Sequence, residues 1–170
     1  MTKLVLLLGI ALPLHALAQS QTDQYADDVR SIDAIIDAYY DVISGANTDP
    51  WQYDRDAFLH APDAIITRVL GDGSTETHSL AEEYIPYLLA PKEDIYEIEL
   101  GREVTQFGQI AQVWSAYELR TDPAVASGVR GVNSIQLHFD QGRWWITSWL
   151  TQNESEENPI PNNLLDQNER

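Results

Sequence analysis

The sequence contains no cysteine, which excludes disulfide bonds and lipid attachment through a cysteine. An exported form must therefore be held together by its core alone, which suits a periplasmic or secreted bacterial protein. Basic residues are also scarce, since 10 Lys and Arg stand against 27 Asp and Glu, for a formal net charge of -17. This charge favours solubility and repels phosphate backbones and anionic lipids, so we expect no nucleic-acid or membrane-surface binding.

Motifs of several common catalytic sites are missing as well. No spacing of His, Asp and Glu matches a metal site, and no serine elbow motif supports nucleophilic catalysis. Gly71-Asp72-Gly73 is a turn signal and not a phosphate-binding loop. We therefore predict neither a metal nor a cofactor.

The first 18 residues are typical of a secretory signal peptide. Lys3 precedes an apolar run over 4–14, and Ala16-Leu17-Ala18 fits the small-x-small cleavage pattern. The run is shorter than the roughly 20 apolar residues that span a bilayer. We expect cleavage after Ala18 and export to the periplasm or beyond, with no membrane attachment afterwards. An uncleaved N-terminal anchor is the alternative.

The rest of the chain has the length and hydrophobic content of one globular domain. We predict a flexible segment at 19–26, a domain at 27–152 and an acidic C-terminal tail at 153–170, whose weakly apolar stretch 159–165 could dock on the domain.

Three helices are expected in the first half of the domain. One runs from Asp27 to Gly45, and one covers 50–57 after an Asp49-Pro50 start. The third follows a capping box that begins at Ser79.

The second half of the domain shows the period of β-strands. From Ile95 to Leu150 four runs alternate apolar and polar residues, and turn signals separate them. An earlier strand over 58–70 and a short return at 74–77 make a hairpin. We predict an α+β fold in which a curved antiparallel sheet of four long strands plus the hairpin wraps around the N-terminal helices. The apolar residues of each strand should face those helices.

Three segments in this order resemble the nuclear transport factor 2-like superfamily, the cone-shaped, cystatin-like fold of ketosteroid isomerases, scytalone dehydratase and SnoaL-type cyclases. They are Tyr39-Tyr40-Asp41-Val42-Ile43-Ser44, Phe58-Leu59-His60-Ala61-Pro62-Asp63-Ala64 and Asp140-Gln141-Gly142-Arg143-Trp144-Trp145-Ile146. The resemblance covers about residues 27–152. The strand over 130–137 and the Pro159-Ile160-Pro161 tail are most similar to exported bacterial members with no assigned activity.

The resemblance also argues against one activity. Ketosteroid isomerases carry a catalytic aspartate on the first strand, where this sequence has Arg68, which cannot act as a general base. Tyr40 falls near their oxyanion-binding tyrosine, but Ile135 takes the position of their buried acid. Two of the three functional positions therefore differ from the isomerase pattern.

Polar residues mixed into the inward-facing sets are the candidates for a pocket, because a buried polar group needs a partner or a ligand. With neighbouring positions added, the pocket candidates are Tyr40, His60, Arg68, Ser115, Tyr117, Asn133 and Ser148. They could instead satisfy one another or hold buried water. His60 with Asp63 could form an acid–base pair, or His60 could simply bond to a turn.

The opposite sheet face carries an unusual number of indole rings for a surface exposed to water. The candidates for an interface there are Trp114, Gln136, His138, Trp145 and Trp149. We predict a homodimer with the sheets packed face to face, and a sugar- or peptide-binding patch is the alternative.

Three functions remain open from the sequence. The leading one is an exported domain that holds a small apolar or amphipathic ligand in the cone. The alternatives are an enzyme of the lyase, isomerase or cyclase type in the same pocket, and a protein-interaction module acting through the Trp-bearing face. A titratable group with a strongly shifted pKa inside the cone would favour the enzyme.

Overall fold

A computed structural model describes residues 24–126 and 128–165. The predicted signal peptide at 1–18 and most of the predicted flexible segment lie outside the described residues. The described chain contains three α-helices and a six-stranded sheet, which confirms the α+β class.

The first helix, α1, spans Ile32–Ile43 and begins later than predicted. The Ser31 hydroxyl accepts a hydrogen bond from the Ala34 amide (3.1 Å) and so forms an N-cap. This cap separates α1 from a short 3-10 helix at Ala26–Val29, so the continuous helix expected from Asp27 is wrong.

The other two helices differ in how well the sequence located them. α2 spans Tyr53–Leu59, not 50–57, because the Asp49 carboxylate accepts from the Ala46 amide (3.0 Å) and closes a turn instead of capping a helix. α3 spans Leu80–Leu89 and follows the predicted capping box. Ser79 accepts from the Glu82 amide (3.3 Å), while the Glu82 carboxylate accepts from the Ser79 amide (2.8 Å).

The strands form one mixed sheet in the order β2-β1-β6-β5-β4-β3. Their bounds are β1 His60–Val69, β2 Thr75–Ser79, β3 Tyr96–Phe107, β4 Ile110–Arg120, β5 Val129–Asp140 and β6 Arg143–Asn153. All neighbouring strands pair antiparallel except β1 and β6, which run parallel. The predicted hairpin of β1 and β2 therefore joins the four-strand meander through a parallel pairing.

The inner face of the sheet packs against α1, as the alternation predicts for β4 and β5. Ile36 and Tyr39 of α1 belong to one core cluster with Val113, Ile135 and Ile146. Ile36, Val113, Ile135 and Ile146 are fully buried. Each such side chain contributes roughly 1.5–3 kcal/mol through burial, so this cluster fixes α1 on the sheet.

Bulges in β3 and β6 break the alternation that the sequence suggests. In β3, Glu99 pairs with Tyr117 and Gly101 with Ala116, so Leu100 is an extra residue. In β6, Gln136 of β5 pairs with Ser148 and Leu137 with Ile146, so Thr147 is extra. Side chains therefore change faces along each of these strands.

The C-terminal segment lies on the outer face of the sheet. Ile160 and Leu164 are buried there with Ala116, and Leu100 and Val132 pack against this second cluster. The Glu154 carboxylate holds the turn, because it accepts from the Ile160 amide (2.9 Å) and pairs with Arg130 (2.6 Å). The tail thus occupies part of the face on which a dimer was expected.

Candidate functional site

The inner face and the helices enclose a cavity of about 270 Å³. Its walls come from the three helices α1, α2 and α3 and from the strands β1 and β3 to β6, together with Trp51 before α2. Four charged side chains line it: Asp56, Arg68, Glu83 and Glu97. The cavity therefore combines an aromatic wall with several ionisable groups.

Glu97 is a cavity carboxyl whose pKa is raised by this environment into the neutral range. It precedes the bulge in β3, so its carboxyl lies on the inner face and lines the cavity. Burial raises its pKa to about 7, while the hydrogen bond from Asn133 Nδ2 (2.9 Å) and the charge of Arg68 oppose that rise. At neutral pH this carboxyl can therefore both accept and donate a proton.

A chain of hydrogen bonds leads from Glu97 deeper into the cone. The Asn133 amide, which donates to Glu97, also lies 3.5 Å from the Tyr40 hydroxyl. Tyr40 and Ser115 share a hydrogen bond of 2.7 Å, and Ser115 in turn donates to Glu99. Burial and the nearby Glu97 raise the pKa of Tyr40 well above 10, so its hydroxyl keeps its proton.

Arg68 extends from β1 and forms an ion pair with Glu83 of α3. Its guanidinium also donates to the Tyr87 hydroxyl (3.1 Å), whereas its Nε is buried and finds no acceptor among the described residues. Arg68 thus lies at the cavity wall. Its charge is neutralised by Glu83 of α3 and not by Glu97 of β3.

Asp56 and His60 form a buried pair at the junction of α2 and β1. His60 Nδ1 lies 2.8 Å from the Asp56 carbonyl oxygen and 3.2 Å from Asp56 Oδ1. The Asp56 carboxylate also accepts from the Tyr84 hydroxyl (2.7 Å). The predicted partner of His60, Asp63, is exposed, so the His60–Asp63 pair is wrong. His60 is not part of the cavity lining, whereas its neighbour Asp56 is.

Tyr117 reaches the cavity across a glycine. Its ring passes over Gly131, where a Cβ would lie 2.5 Å from the Gln152 carbonyl oxygen and would also meet the Tyr117 hydroxyl. The hydroxyl donates to Asn153 Oδ1 (2.7 Å) and accepts from Thr151 Oγ1 (3.1 Å). Gly131 is thus required because only a residue without a side chain leaves room for this ring.

Buried polar atoms without a partner gather at this cavity. Among the described residues, such atoms are Trp51 Nε1, His60 Nε2, Arg68 Nε and Trp149 Nε1, whereas Asp56 Oδ1 makes no hydrogen bond but has His60 Nδ1 at 3.2 Å. Three of these four residues, Trp51, Arg68 and Trp149, line the cavity. Since buried polar groups normally have partners, these atoms mark a place where water or a ligand would bind.

The predicted pocket residues meet different outcomes. Arg68, Tyr117 and Asn133 line the cavity, whereas Tyr40, Ser115 and His60 are buried but are not part of its lining. Ser148 is wrong as an inward residue, because the extra Thr147 turns it to the outer face opposite Gln136. The same bulge turns Trp149 inward, where it is buried and meets the Tyr39 ring edge-on at 6.0 Å. Trp149 is therefore wrong as an interface residue.

The other predicted interface residues do lie on the outer face. Trp114 is 46% exposed, and Gln136 is half-buried beside it in the sheet. His138 Nδ1 bonds to Thr147 Oγ1 (2.8 Å). The Trp145 ring is stacked under the Arg143 guanidinium at 3.6 Å, so Trp114 is the more accessible indole.

The cavity residues that were not predicted candidates include one indole and three carboxylates, Trp51, Asp56, Glu83 and Glu97. The i, i+4 spacing of Asp56 and His60 was an available signal for that pair. No pattern in the sequence marks Glu97, because it alternates with Tyr96 and Ile98 in the way an outward residue would.

The part of the chain that the structure describes lacks two further features. It holds no cluster of three or more His, Asp or Glu side chains that could bind a metal ion. None of its helices has the length and apolar character needed to cross a membrane.

Solved structures share this architecture. An NTF-2 like protein of unknown function from Silicibacter pomeroyi DSS-3 matches with a TM-score of 0.52 and 13% identity, over 78% of this chain and 98% of that chain. A cystatin-like fold protein from Nostoc punctiforme PCC 73102 matches at 0.53 and 11%, over 85% and 97%. A candidate dehydratase of the NTF2-like family from Streptomyces avermitilis matches at 0.55 and 14%, over 75% and 96%. No family model and no curated protein matches the sequence.

Proposed function

From the nuclear transport factor 2-like fold that this chain has, as its sequence predicted, we propose that it binds a small, partly apolar molecule inside the cone. The observation that carries this proposal is the set of buried N–H groups with no partner among the described residues, on three residues that line one cavity: Trp51, Arg68 and Trp149. Leaving such atoms without a partner costs about 1–3 kcal/mol each, and a ligand with matching polar groups would recover that energy.

The cavity volume limits the ligand to a small molecule. Sites for drug-sized ligands occupy roughly 300–1,000 Å³, and this cavity of about 270 Å³ lies just below that range. A compound with one ring and a short polar chain is the size that we expect.

Binding can be tested with the intrinsic fluorescence of the cavity indoles. Trp51 and Trp149 line the cavity, so a bound compound changes their emission. We expect hits from a panel of neutral, cationic and anionic single-ring compounds, confirmed by calorimetry. Asn133→Leu should remove binding while the fold is kept, and Gln136→Leu on the outer face is the matched control. Unchanged affinity in Asn133→Leu would count against this cavity as the binding site.

A second candidate function is proton-transfer catalysis in the same cavity, of the lyase, isomerase or cyclase type. The observation that favours it is Glu97, a cavity carboxyl with a pKa of about 7. One structurally similar protein carries the name of a candidate dehydratase, which agrees with this reaction class but concerns that protein.

Proton transfer can be detected without knowing the product. We expect the protein to exchange deuterium from solvent into the carbon next to the carbonyl of small ketones, followed by proton NMR. The rate should rise with pH through about 7 as Glu97 loses its proton. Glu97→Gln should abolish exchange, and the exposed Glu157→Gln should not. Equal exchange by both variants would refute the role of Glu97.

Export remains a proposal that rests on the first 18 residues. Mass spectrometry of protein recovered from a periplasmic fraction of a bacterial host should show Gln19 as the first residue. A chain that retains Met1 and stays with the membrane would support the uncleaved anchor instead.

A further inference from the structure

The charged groups of the cavity do not balance one another. Arg68 is in an ion pair with Glu83 of α3. Glu97 receives one side-chain hydrogen bond, from Asn133, and forms no ion pair with the described residues. Asp56 has His60 Nδ1 at 3.2 Å, a pair that is ionic only when the imidazole is protonated. The cavity thus keeps a buried carboxyl, Glu97, that has no paired cation.

Acceptors are also missing for three N–H groups at the same cavity. The indole N–H groups of Trp51 and Trp149 and the Nε–H of Arg68 are buried and have no partner among the described residues. A ligand that satisfies them must present hydrogen-bond acceptors, of which oxygen atoms are the commonest. The cavity therefore calls for a molecule that carries both a cation and an oxygen.

The walls favour the same kind of molecule. Trp51, Tyr84 and Tyr87 form an aromatic cluster, with ring centroids 5.3 Å apart for Trp51–Tyr87 and 6.3 Å apart for Tyr84–Tyr87. Trp51 already attracts a cation, because Lys92 Nζ lies 4.7 Å from its ring centroid. The net charge of -17 also raises the local concentration of cationic solutes around the protein.

We propose that the ligand of the cone is a small amine with an oxygen acceptor on an apolar body of one ring. Its ammonium group faces Glu97, its oxygen accepts from the Arg68 Nε–H or from an indole N–H, and its ring packs on the aromatic wall. This inference rests on the proposed ligand-binding function and specifies the chemical class of the ligand.

Four probes, each with one phenyl ring, test separately whether the ammonium group and the oxygen are needed for binding. L-phenylalanine and phenylalaninol carry both an ammonium group and an oxygen, as a carboxylate and a hydroxyl respectively. Phenethylamine carries only the ammonium group, and 3-phenylpropanoate carries only the carboxylate. In calorimetry near pH 8 we expect at least one of the first two to bind about tenfold or more tightly than either of the last two.

Two cavity variants assign the contacts. Glu97→Gln should weaken the amines by about tenfold and leave 3-phenylpropanoate within about twofold. Arg68→Met should weaken phenylalanine and leave phenethylamine within about twofold. Circular dichroism on both variants confirms that they fold. A Glu97→Gln variant that folds and binds phenylalanine and phenylalaninol as tightly as the wild type would overturn the proposal.

The pH dependence supplies a third criterion. The titratable and charged groups that face Glu97 are Tyr39 and Tyr40 from α1, Tyr117 from β4 and Arg68 from β1. The tyrosine pKa values are raised, so these hydroxyls stay neutral below about pH 9. Affinity for phenylalaninol should therefore rise from about pH 6 to about pH 8 as Glu97 ionises, and should stay flat in Glu97→Gln.

The outcomes distinguish this inference from the function on which it rests. If 3-phenylpropanoate binds as tightly as phenylalanine, the amine is not recognised and the inference fails, while binding in the cavity stands. If none of the four probes binds, the inference fails as well. The proposed function fails separately, when the wider panel of neutral, cationic and anionic compounds also gives no binding that Asn133→Leu removes.

Discussion

The two faces of the sheet are covered by different parts of the chain. The inner face encloses a hydrogen-bonded polar group of residues, with Glu97, Asn133 and Tyr40 surrounded by a packed apolar core. The outer face is closed in part by Ile160 and Leu164 of the C-terminal segment, and is open elsewhere. The inner face therefore carries polar groups at the cavity, and the outer face is partly covered by the C-terminal segment.

This difference shows where changes should matter. Inner-face residues are fixed by neighbours on several elements, so a change there strains the whole sheet. The cover of the outer face comes from a short C-terminal segment, which we expect to open locally without unfolding of the domain and so to contribute little to global stability. We therefore expect larger effects from changes at Gly131 and Glu97 of the inner face than from changes at Ile160 and Trp145 of the outer face.

The largest effect is expected at Gly131 on the inner face. Gly131→Ala places a methyl group against the Gln152 carbonyl oxygen and the Tyr117 ring, and should destabilise the domain by about 3 kcal/mol. Urea unfolding measures the change in free energy. Gly71→Ala is the matched control, because nothing lies within 4 Å of its added Cβ. Equal effects in the two variants would show that Tyr117 does not pack over Gly131.

The second effect concerns the buried carboxyl of Glu97. Its pKa is raised from 4.5 to about 7 in the folded protein, so the unfolded chain loses this proton first as pH rises. The wild type should lose up to about 3 kcal/mol between pH 4.5 and pH 7 from this group, and keep that loss at higher pH. Glu97→Gln should remove the loss, so it should be more stable than the wild type at pH 8 and similar at pH 4. Urea unfolding across pH tests this, with exposed Glu157→Gln as the control.

A smaller effect is expected for the cover of the outer face. Ile160→Ala removes a buried side chain, but we expect the segment to open locally, so the loss should be only about 1 kcal/mol. Hydrogen exchange should show the tail opening in this variant while the amides of β5 stay protected. A loss as large as that of Gly131→Ala would mean that the tail belongs to the cooperative core.

The smallest effect on stability is expected for the indoles of the outer face. The measurement there is the molecular mass in solution. The face-to-face homodimer remains a prediction, now restricted to the outer surface that the tail leaves open around Trp114 and Trp145. Trp145→Asp should give monomers in light scattering with unfolding unchanged within about 0.5 kcal/mol. A wild type that is already monomeric, or a variant with unchanged mass, would remove this dimer.

Helix α3 and the inward face of β5 could be predicted because the local sequence signals agree with the burial in the structure. The Ser79 capping box predicted where α3 begins. The alternation around Ile135 correctly predicted which side chains of β5 pack against Ile36 and Tyr39. The faces of β3 and the end of β6 could not be predicted in this way. A bulge adds one residue without any compositional signal, so Leu100 and Thr147 changed the facing of their strands.

The site was only partly predictable for a related reason. Tyr117 and Asn133 were found because they interrupt apolar sets that do face inward. Glu97 was missed because alternation assigns a charged residue to the solvent, and its burial depends on Asn133, which is 36 positions away. Similarly, the partner of His60 is Asp56, one helical turn earlier, and not the nearer Asp63.

The most direct test of this account is the titration of Glu97 itself. Carbon-13 NMR of the side-chain carboxyls, with Glu97→Gln to assign the resonance, follows its protonation in the folded protein. The account predicts a midpoint of about 7. A midpoint near the ordinary value of 4.5 would place this carboxyl in water, and would contradict an inner face built around it.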